Sequence, residues 1–288
     1  MDFKTFHQPV LVPHLLSNFN LNNNAIVVDA TLGFAGHATA ILNAYPNVHY
    51  IGFDKDPMAI DVSKQRCQGF PNVDIIQATF SSIPTALNER CITPTHVLFD
   101  LGVSSYQIDQ SDRGFTFQRD EPLDMRMNPN QTTLAKDILN NQSKEALLKM
   151  FKEEGDIRFP EKLVDIILTQ RDTQPFSTTM DLVSCIKRGF FVKSRPQFIA
   201  ICTKVFQAIR VTVNNEMGEL RTTLAAMLAY RGATIAVISF QPNEDRCVKQ
   251  FVKANQLTKI TKKPLQSTYA ECKKNPREKS AKLRIFQV

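Results

Sequence analysis

Three short apolar runs, each ending in an aspartate, most constrain the fold of this chain. The runs end at Asp29, Asp54 and Asp100, and residues that favour turns follow each of them closely. Short apolar runs closed by turn residues are typical of strands buried in a parallel sheet. Because open α/β sheets bind ligands at the carboxyl ends of their strands, we expect the chemistry at this edge. The loop from Leu101 to Gln107, with a glycine, two serines and an amide, is the leading candidate.

The remaining patterns predict an α/β fold. Helix signals follow the first two strands, including Asp56 as a helix cap before Pro57. Strands that alternate with helices favour βαβ units and a parallel sheet. The last strand alternates in polarity, which favours an edge or paired position. Strands are predicted over residues 25–30, 48–54, 73–77, 97–101, 233–240 and 281–286.

Helical periodicity without a strand pattern separates the two groups of strands. It covers residues 109–205, and a long helix over 198–230 is predicted to break near Asn214. We therefore predict that a helical domain is inserted into the sheet domain. The predicted segments are 1–108 for the first part of the sheet domain, 109–205 for the insertion, and 206–288 for the second part with a basic C-terminal segment.

The charge of the chain is distributed unevenly. Residues 1–100 carry 5 Lys and Arg against 8 Asp and Glu, a net charge of −3. Residues 246–288 carry 12 against 2, a net charge of +10. So basic a segment favours a polyanionic partner such as nucleic acid. A solvated surface that keeps the protein in solution is the alternative interpretation.

Other features of the sequence argue against several classes of protein. No apolar run is long enough to span a bilayer, and the N-terminal residues lack the layout of a signal peptide. The six cysteines are scattered, without a CxxC pair or a nearby histidine. This spacing argues against a disulfide framework or a zinc site. We expect a cytoplasmic protein with reduced thiols and no metal.

The turn after the first predicted strand has the composition of a nucleoside site. Gly33 and Gly36 let a ligand approach the backbone, and the following helix offers free N–H groups. Asp54 ends the next strand at roughly the 20-residue separation where an acid accepts bonds from ribose hydroxyls. The alternative is that the glycines only shape a turn and Asp54 only caps a helix.

S-adenosylmethionine suits this turn better than a phosphate-rich ligand. The spacing is not GxGxxG, and no Walker lysine follows the glycines. Acidic strand ends suit a ligand with a ribose, an amino group and a sulfonium cation. Phe80, just after the third strand, is a candidate for stacking on an adenine, although an aromatic residue there is often part of the core.

A series of motifs carries a resemblance to a known family over almost the whole chain. In this order and register, the motifs resemble those of the bacterial 16S ribosomal RNA cytosine-N4 methyltransferases, the RsmH or MraW family. The motifs are residues 7–11, 29–33 with Gly36-His37, 54–60, 99–105 with Gln107, 113–117, 122–127, 206–210 with Val213-Asn214, 244–246, 275–277 and 280–284.

The resemblance implies a fold, a reaction and a set of contacts. The fold would be a class I, Rossmann-like S-adenosylmethionine-dependent methyltransferase sheet with an inserted helical domain. The reaction would methylate the exocyclic N4 of a cytidine in 16S ribosomal RNA, in the decoding region of the small subunit. The implied partner is that RNA or the small subunit, and we also expect a homodimer. The implied donor contacts are Ala35, Gly36, His37, Asp54, Phe80, Asp100 and Gln107.

The acceptor side can be argued from chemistry. The cytosine N4 is a poor nucleophile because its lone pair is delocalised, so the site must hold and align it while a proton leaves. Positioning supplies most of such catalysis. We assign donor contact to Asp100 and acceptor orientation to Ser104 and Ser105, with water as a possible proton acceptor. Arg113, Arg126 and Arg210 are candidates for phosphate contacts or for internal salt bridges.

The chain departs from the family pattern at four places, one of them at residues 277–280, where the family is richer in Arg and Ser. The family has glycine at Ala35, proline at Tyr106, and Phe-His-Ser-Leu where this chain has residues 240–243. The replacement of His-Ser by Gln241-Pro242 falls near the expected acceptor side. It leaves open an RNA-binding or ribosome-assembly factor that keeps the fold without catalysis. A methyltransferase for a protein or small-molecule acceptor is a further alternative, which the basic segment disfavours.

Overall fold

The computed structural model describes residues 8–190 and 194–288, except for the side chain of Ser105. His7, in the first motif, therefore lies outside the described residues. In chain order the helices and strands are α1 Val12–Asn18, β1 Ile26–Asp29, α2 Gly36–Ala44, β2 His49–Asp54, α3 Pro57–Cys67, β3 Val73–Gln77, α4 Ile83–Glu89, β4 His96–Asp100, α5 Ser105–Asp109, α6 Ala135–Asn141, α7 Lys144–Glu153, α8 Glu161–Thr173, α9 Thr179–Gly189, α10 Arg195–Val213, α11 Glu216–Met227, β5 Thr234–Ser239, α12 Pro242–Ala254, β6 Thr258–Lys259, α13 Tyr269–Lys274 and β7 Lys282–Gln287.

The chain forms two compact units. The first consists of residues 1–104 and 217–288, and the second of residues 105–216. The predicted domain limits at 108 and 205 stay a prediction, but 205 falls inside α10 and so does not separate two elements. The long helix predicted over 198–230 is two helices, α10 and α11, which meet at Asn214 as expected.

The first unit is built on a seven-stranded sheet with the order β3-β2-β1-β4-β5-β7-β6. Strands β1 to β5 are parallel, as the alternation of strands and helices predicted. Strand β1 lies between β2 and β4, so the strand order reverses at β1 and β4. A reversal of this kind leaves a crevice at the carboxyl ends of the two strands, where ligands bind. The predicted α/β class with a helical insertion is confirmed.

The last strand agrees with one of the two expected positions, a paired one, and not with the other, at the edge. Strand β7 is antiparallel and pairs on one side with β5 and on the other with β6. It is therefore an interior strand rather than an edge strand. The edge is formed by β6, which consists of only two residues, both exposed. No alternation can be read from two residues, which explains why the sequence gives no signal for β6.

A glycine in β2 lets the turn after β1 approach the sheet. The Leu32 side chain packs over Gly52, where an added Cβ would lie 2.6 Å from a Leu32 methyl carbon. The Leu32 N–H donates to the Phe53 carbonyl at 2.8 Å. Leu32 is buried in the apolar core of the first unit together with Leu98 and Ala236. The turn is thus held close to the sheet by packing and by a backbone bond.

The second unit has its own apolar core. Helices α6 to α10 contribute to it, and Phe151 and Leu163 are among its fully buried members. Asn214, at the end of α10, accepts the Met127 N–H and donates to the Met125 carbonyl. The irregular segment before α6 therefore has a fixed path although it contains few regular backbone bonds.

Candidate functional site

Buried polar groups link the turn after β1 to the strands on either side. Asp29 is buried, and its Oδ2 accepts a 2.7 Å hydrogen bond from the Tyr50 hydroxyl of β2. Its Oδ1 accepts the Thr31 N–H at 3.0 Å. The Thr31 hydroxyl in turn accepts the Asp100 N–H at 2.6 Å. These bonds fix the β1 turn against both β2 and β4, and the sequence patterns did not reveal the partners.

Burial shifts the pKa of both Asp29 and Tyr50. Desolvation raises the pKa of Asp29 to about 6, although the Tyr50 hydrogen bond acts in the opposite direction. Desolvation and the nearby Asp29 raise the pKa of Tyr50 well above its usual value. The hydroxyl is therefore a permanent donor to the carboxylate. Both carboxylate oxygens of Asp29 thus accept bonds from the chain itself, and the residue holds the β1 turn in place.

We predict that Tyr50→Phe destabilises the protein more at pH 8 than at pH 4. The change removes the only hydroxyl that bonds Asp29 Oδ2 among the described groups. Without that donor the folded-state pKa of Asp29 rises further above about 6. The free energy of unfolding that the protonated carboxyl contributes at low pH is therefore lost as the pH rises through this pKa. We expect a loss of about 2 kcal/mol at pH 8, measured by urea unfolding. The partly buried Tyr45→Phe is the control, and an equal loss at both pH values would contradict the prediction.

Asp54 holds the β1 turn from the other side. Its Oδ2 accepts the Gly33 N–H and its Oδ1 accepts the Asp56 N–H, both at 2.8 Å. The cap of α3 is Asp56, as predicted, whose Oδ1 accepts the Met58 N–H. Desolvation raises the pKa of Asp54 to about 6. A carboxylate has about four lone-pair positions, so Asp54 could accept up to two bonds beyond these.

Two small residues begin helix α2. Ala35 adopts the left-handed conformation, with φ of 56°, and its methyl group is fully buried. This conformation favours glycine, which accounts for the family residue at this position. At Gly36 an added Cβ would lie 3.2 Å from the ring of Pro9. The first N–H groups of a helix have no intrahelical partners, so the start of α2 can donate to a ligand.

His37 and Asp100 face each other inside the first unit. His37 Nε2 lies 2.9 Å from the Val10 carbonyl, and Nδ1 lies 3.5 Å from Asp100 Oδ2. Because a carbonyl only accepts, Nε2 carries the proton, and a neutral ring presents its Nδ1 lone pair to Asp100. Burial lowers the pKa of His37 and raises that of Asp100 to about 7. Near neutral pH, Asp100 is therefore divided between its protonated and ionised forms.

The other oxygen of Asp100 is the most informative atom of the site. Asp100 Oδ1 is buried and has no hydrogen-bond partner among the described groups. It stands at the carboxyl end of β4, where the strand order reverses. Buried polar atoms are rarely left unpaired, because each costs about 1–3 kcal/mol. A ligand that brings a cation or an N–H donor would satisfy this oxygen.

The remaining predicted residues occupy different surroundings. Phe80 is buried and meets Phe99 edge-on at 6.2 Å, as a core aromatic does. Ser104 is half-buried at the end of the first segment of the first unit. Ser105 and Gln107 lie in α5, which belongs to the second unit, where Gln107 is buried. The first unit therefore contains Ala35, Gly36, His37, Asp54, Phe80, Asp100 and Ser104, without the last two residues of the predicted site.

The three arginines that were candidates for phosphate contacts bond within the second unit. Arg126 forms two hydrogen bonds with the Asp124 carboxylate, and Arg210 forms two with Glu216. Arg113 donates to the Arg126 and Met127 carbonyls. The internal alternative describes all three arginines. The arginines of the motifs could not by themselves distinguish phosphate contacts from internal bonds, because their partners have no regular spacing from them in the sequence.

The described residues contain no group of three or more His, Cys, Asp or Glu side chains arranged to hold a metal ion. Across the same residues, no helix combines the length and apolar character needed to cross a membrane.

The chain is similar to known proteins over its full length. A model of the MraW methylase family matches residues 4–288. The ribosomal RNA small subunit methyltransferase H of Spiroplasma kunkelii is 38% identical, with 100% of this chain and 99% of the relative covered. The protein of the same name from Nautilia profundicola is 39% identical, with 98% and 96% covered.

A solved structure of low similarity also matches. The precorrin-6y C5,15-methyltransferase of Geobacter metallireducens is 9% identical with a TM-score of 0.48, covering 100% of this chain and 96% of that one. This likeness is too slight to carry an argument about function. The match of the family model over residues 4–288, with relatives of more than 30% identity along the whole chain, is decisive. The chain belongs to the MraW methylase family.

Proposed function

We propose that this protein transfers a methyl group from S-adenosylmethionine to the exocyclic N4 of a cytidine in 16S ribosomal RNA. The relatives are named as methyltransferases of small-subunit ribosomal RNA, and the motifs of the chain resemble those of the cytosine-N4 enzymes. The observation that carries the proposal is the unpartnered, buried Oδ1 of Asp100 at the strand reversal. An acid there suits a cationic donor, whereas a phosphate would be repelled.

The residues of the first unit fit the methyl donor. Asp100 would accept from its cationic or amino groups, and the start of α2, at Gly36 and His37, would offer backbone N–H groups. The two remaining lone-pair positions of Asp54 would accept from the ribose hydroxyls. Phe80 would border the adenine, and Ala35 would let the turn pass close to it. Gln107 belongs to the second unit, and its contact with the donor stays a prediction.

S-adenosylmethionine supplies a methyl group that its sulfonium already activates. The work left to the chain is therefore alignment of the acceptor and removal of a proton. The buried Asp100, whose pKa is raised to about 7, is half ionised near neutral pH. We assign acceptor orientation to Ser104, in the loop that follows β4, and to Ser105, the first residue of α5. Water would take the proton.

The location and assembly of the protein belong to the same proposal. The basic segment 246–288, with its net charge of +10, would contact RNA phosphates of the small subunit, which favours a cytoplasmic location. We also propose a homodimer, which sedimentation at micromolar concentration would test.

The decisive experiment is nucleoside mass spectrometry of small-subunit RNA from cells with and without this protein. We expect N4-methylcytidine to disappear from 16S ribosomal RNA in the deletion strain and to return with the wild-type gene. Purified protein should restore the modification in subunits from the deletion strain when S-adenosylmethionine is added. Unchanged N4-methylcytidine would rule out the proposed reaction, and subunit binding without methyl transfer would favour an assembly factor.

A further inference from the structure

The residue after Phe240 has a buried amide with an unpaired oxygen. Gln241 immediately precedes helix α12, and its backbone N–H donates to Glu244 Oε2 at 3.1 Å. The Phe240 N–H donates to the same oxygen at 2.8 Å. These two bonds hold the backbone in place, so the position of Gln241 does not depend on its own side chain.

The Gln241 side chain differs from an ordinary helix cap. The residue is 9% exposed, and its Oε1 is buried without a donor among the described residues. A buried acceptor without a donor lowers stability. A side chain of this kind at the carboxyl end of a parallel strand is therefore a candidate for ligand binding.

The surroundings of Gln241 connect it with the proposed acceptor side. The loop after β4 runs beside the loop after β5, because the Leu101 N–H donates to the Ile238 carbonyl at 3.0 Å. A Cβ added to Gly102 would lie 3.7 Å from the ring of Phe240. Gln241 thus follows a residue that borders the loop in which Ser104 lies. Adjacent strands β4 and β5 each end near an unpartnered acceptor, Asp100 Oδ1 and Gln241 Oε1.

We propose that the side-chain oxygen of Gln241 binds the exocyclic amine of the acceptor base. The inference rests on the proposed function and names the residue that recognises the base. One N–H of a cytosine amine would donate to Gln241 Oε1, which orients the nitrogen within the site. The amide oxygen has no charge and does not titrate, so it accepts this bond at any working pH.

The same contact gives the site a preference between pyrimidines. Cytosine presents an amine where uracil presents a carbonyl oxygen. A carbonyl placed against Gln241 Oε1 would bring two acceptors together and leave both without a donor. Sites that hydrogen-bond a substrate N–H discriminate strongly against analogues that lack it. With its amide oxygen towards the base, Gln241 would therefore favour cytidine over uridine.

The test compares Gln241→Met with Gln241→His and with the control Gln65→Met. Methionine keeps the length of the side chain but removes the amide, whereas histidine retains a nitrogen that can accept. Gln65 is an exposed glutamine of helix α3. The measurements are kcat/KM for methylation of unmodified small subunits, the affinity for S-adenosylmethionine, and Tm.

We expect Gln241→Met to lower kcat/KM at least 30-fold without lowering Tm or the affinity for S-adenosylmethionine. Gln241→His should retain kcat/KM within about fivefold of the wild type, and Gln65→Met should be unchanged. A lower Tm with a parallel loss of activity would instead assign Gln241 a structural role. If the turnover of Gln241→Met stayed within threefold of the wild type, the inference would be overturned, whereas the proposed function would stand.

A binding measurement separates the inference from turnover. Cytidine and uridine are compared as probes by saturation-transfer NMR, with S-adenosylhomocysteine present. The wild type and Gln241→His should bind cytidine in preference to uridine, and Gln241→Met should lose the preference. Equal preference in all three proteins would overturn the inference. Absence of any methyl transfer by the wild type would instead overturn the proposed function, and the inference with it.

Discussion

Replacing Asp100 with asparagine is expected to lower kcat/KM for S-adenosylmethionine about 100-fold, or about 3 kcal/mol. The carboxylate has one oxygen facing His37 and another that is buried without a partner. Asparagine keeps the shape but cannot supply the negative charge that a cationic donor requires. Methyl transfer from labelled S-adenosylmethionine and calorimetric binding measure the two effects.

Compared with the wild type, Asp100→Asn should become more stable as the pH rises. Burial raises the folded-state pKa of Asp100 from 3.8 to about 7. Its contribution to stability is therefore full below about pH 3.8 and is lost as pH rises through about 7. Asparagine removes that loss, so its advantage over the wild type should grow by about 4 kcal/mol between pH 4 and pH 8.

Ligand affinity should change with pH in the opposite sense. If the ionised Asp100 binds the donor, wild-type affinity for S-adenosylmethionine increases from pH 6 to pH 8, and that of Asp100→Asn stays level. The exposed Asp61→Asn on α3 is the control for charge alone. Wild-type affinity that does not vary with pH, or normal turnover by Asp100→Asn, would contradict the assignment.

Replacing Gly52 with valine is expected to destabilise the protein by about 3 kcal/mol. Even one added Cβ would lie 2.6 Å from a Leu32 methyl carbon. Because Leu32 is buried, its side chain has little space for another rotamer, and relief of the collision would shift the turn whose Leu32 N–H is bonded to the Phe53 carbonyl. Since Gly33 and Ala35 belong to that turn, the affinity for S-adenosylmethionine should also fall at least tenfold.

A second substitution tests whether the collision with Leu32 is the cause. Leu32→Ala alone should destabilise the protein by about 2–4 kcal/mol, because it leaves a cavity. Combined with Gly52→Val, it makes room for the valine, so the two losses should sum to more than the loss of the double variant. Chemical unfolding of all four proteins measures this coupling. Additive losses would show that Leu32 is not the obstacle.

The strands and their acidic ends could be predicted because each is a local pattern. The strands predicted over residues 48–54 and 97–101 agree with the observed β2 and β4 to within one residue at each end. The cap at Asp56 follows from residue type alone. These features depend on a few consecutive residues, so neither distant contacts nor side-chain packing is needed to recognise them.

The polar partners around the site could not be predicted for the opposite reason. His37 bonds to the Val10 carbonyl, and Thr31 accepts from the Asp100 backbone. Both bonds join residues that are distant in sequence, and a backbone acceptor has no residue-type signal. The unpartnered oxygens of Asp100 and Gln241 are likewise properties of packing. The sequence could name these residues but not which of their atoms lack a partner.

The position of the insertion has a consequence for the order of folding. Strands β4 and β5 are hydrogen-bonded neighbours, although the whole second unit separates them in sequence. Closing so long a loop has an entropic cost that grows with its length and slows non-local pairing. An insertion that has already folded around its own core shortens the flexible part of that loop. Core substitutions in residues 105–216, such as at Phe151, should therefore slow the refolding of the sheet that carries Asp100.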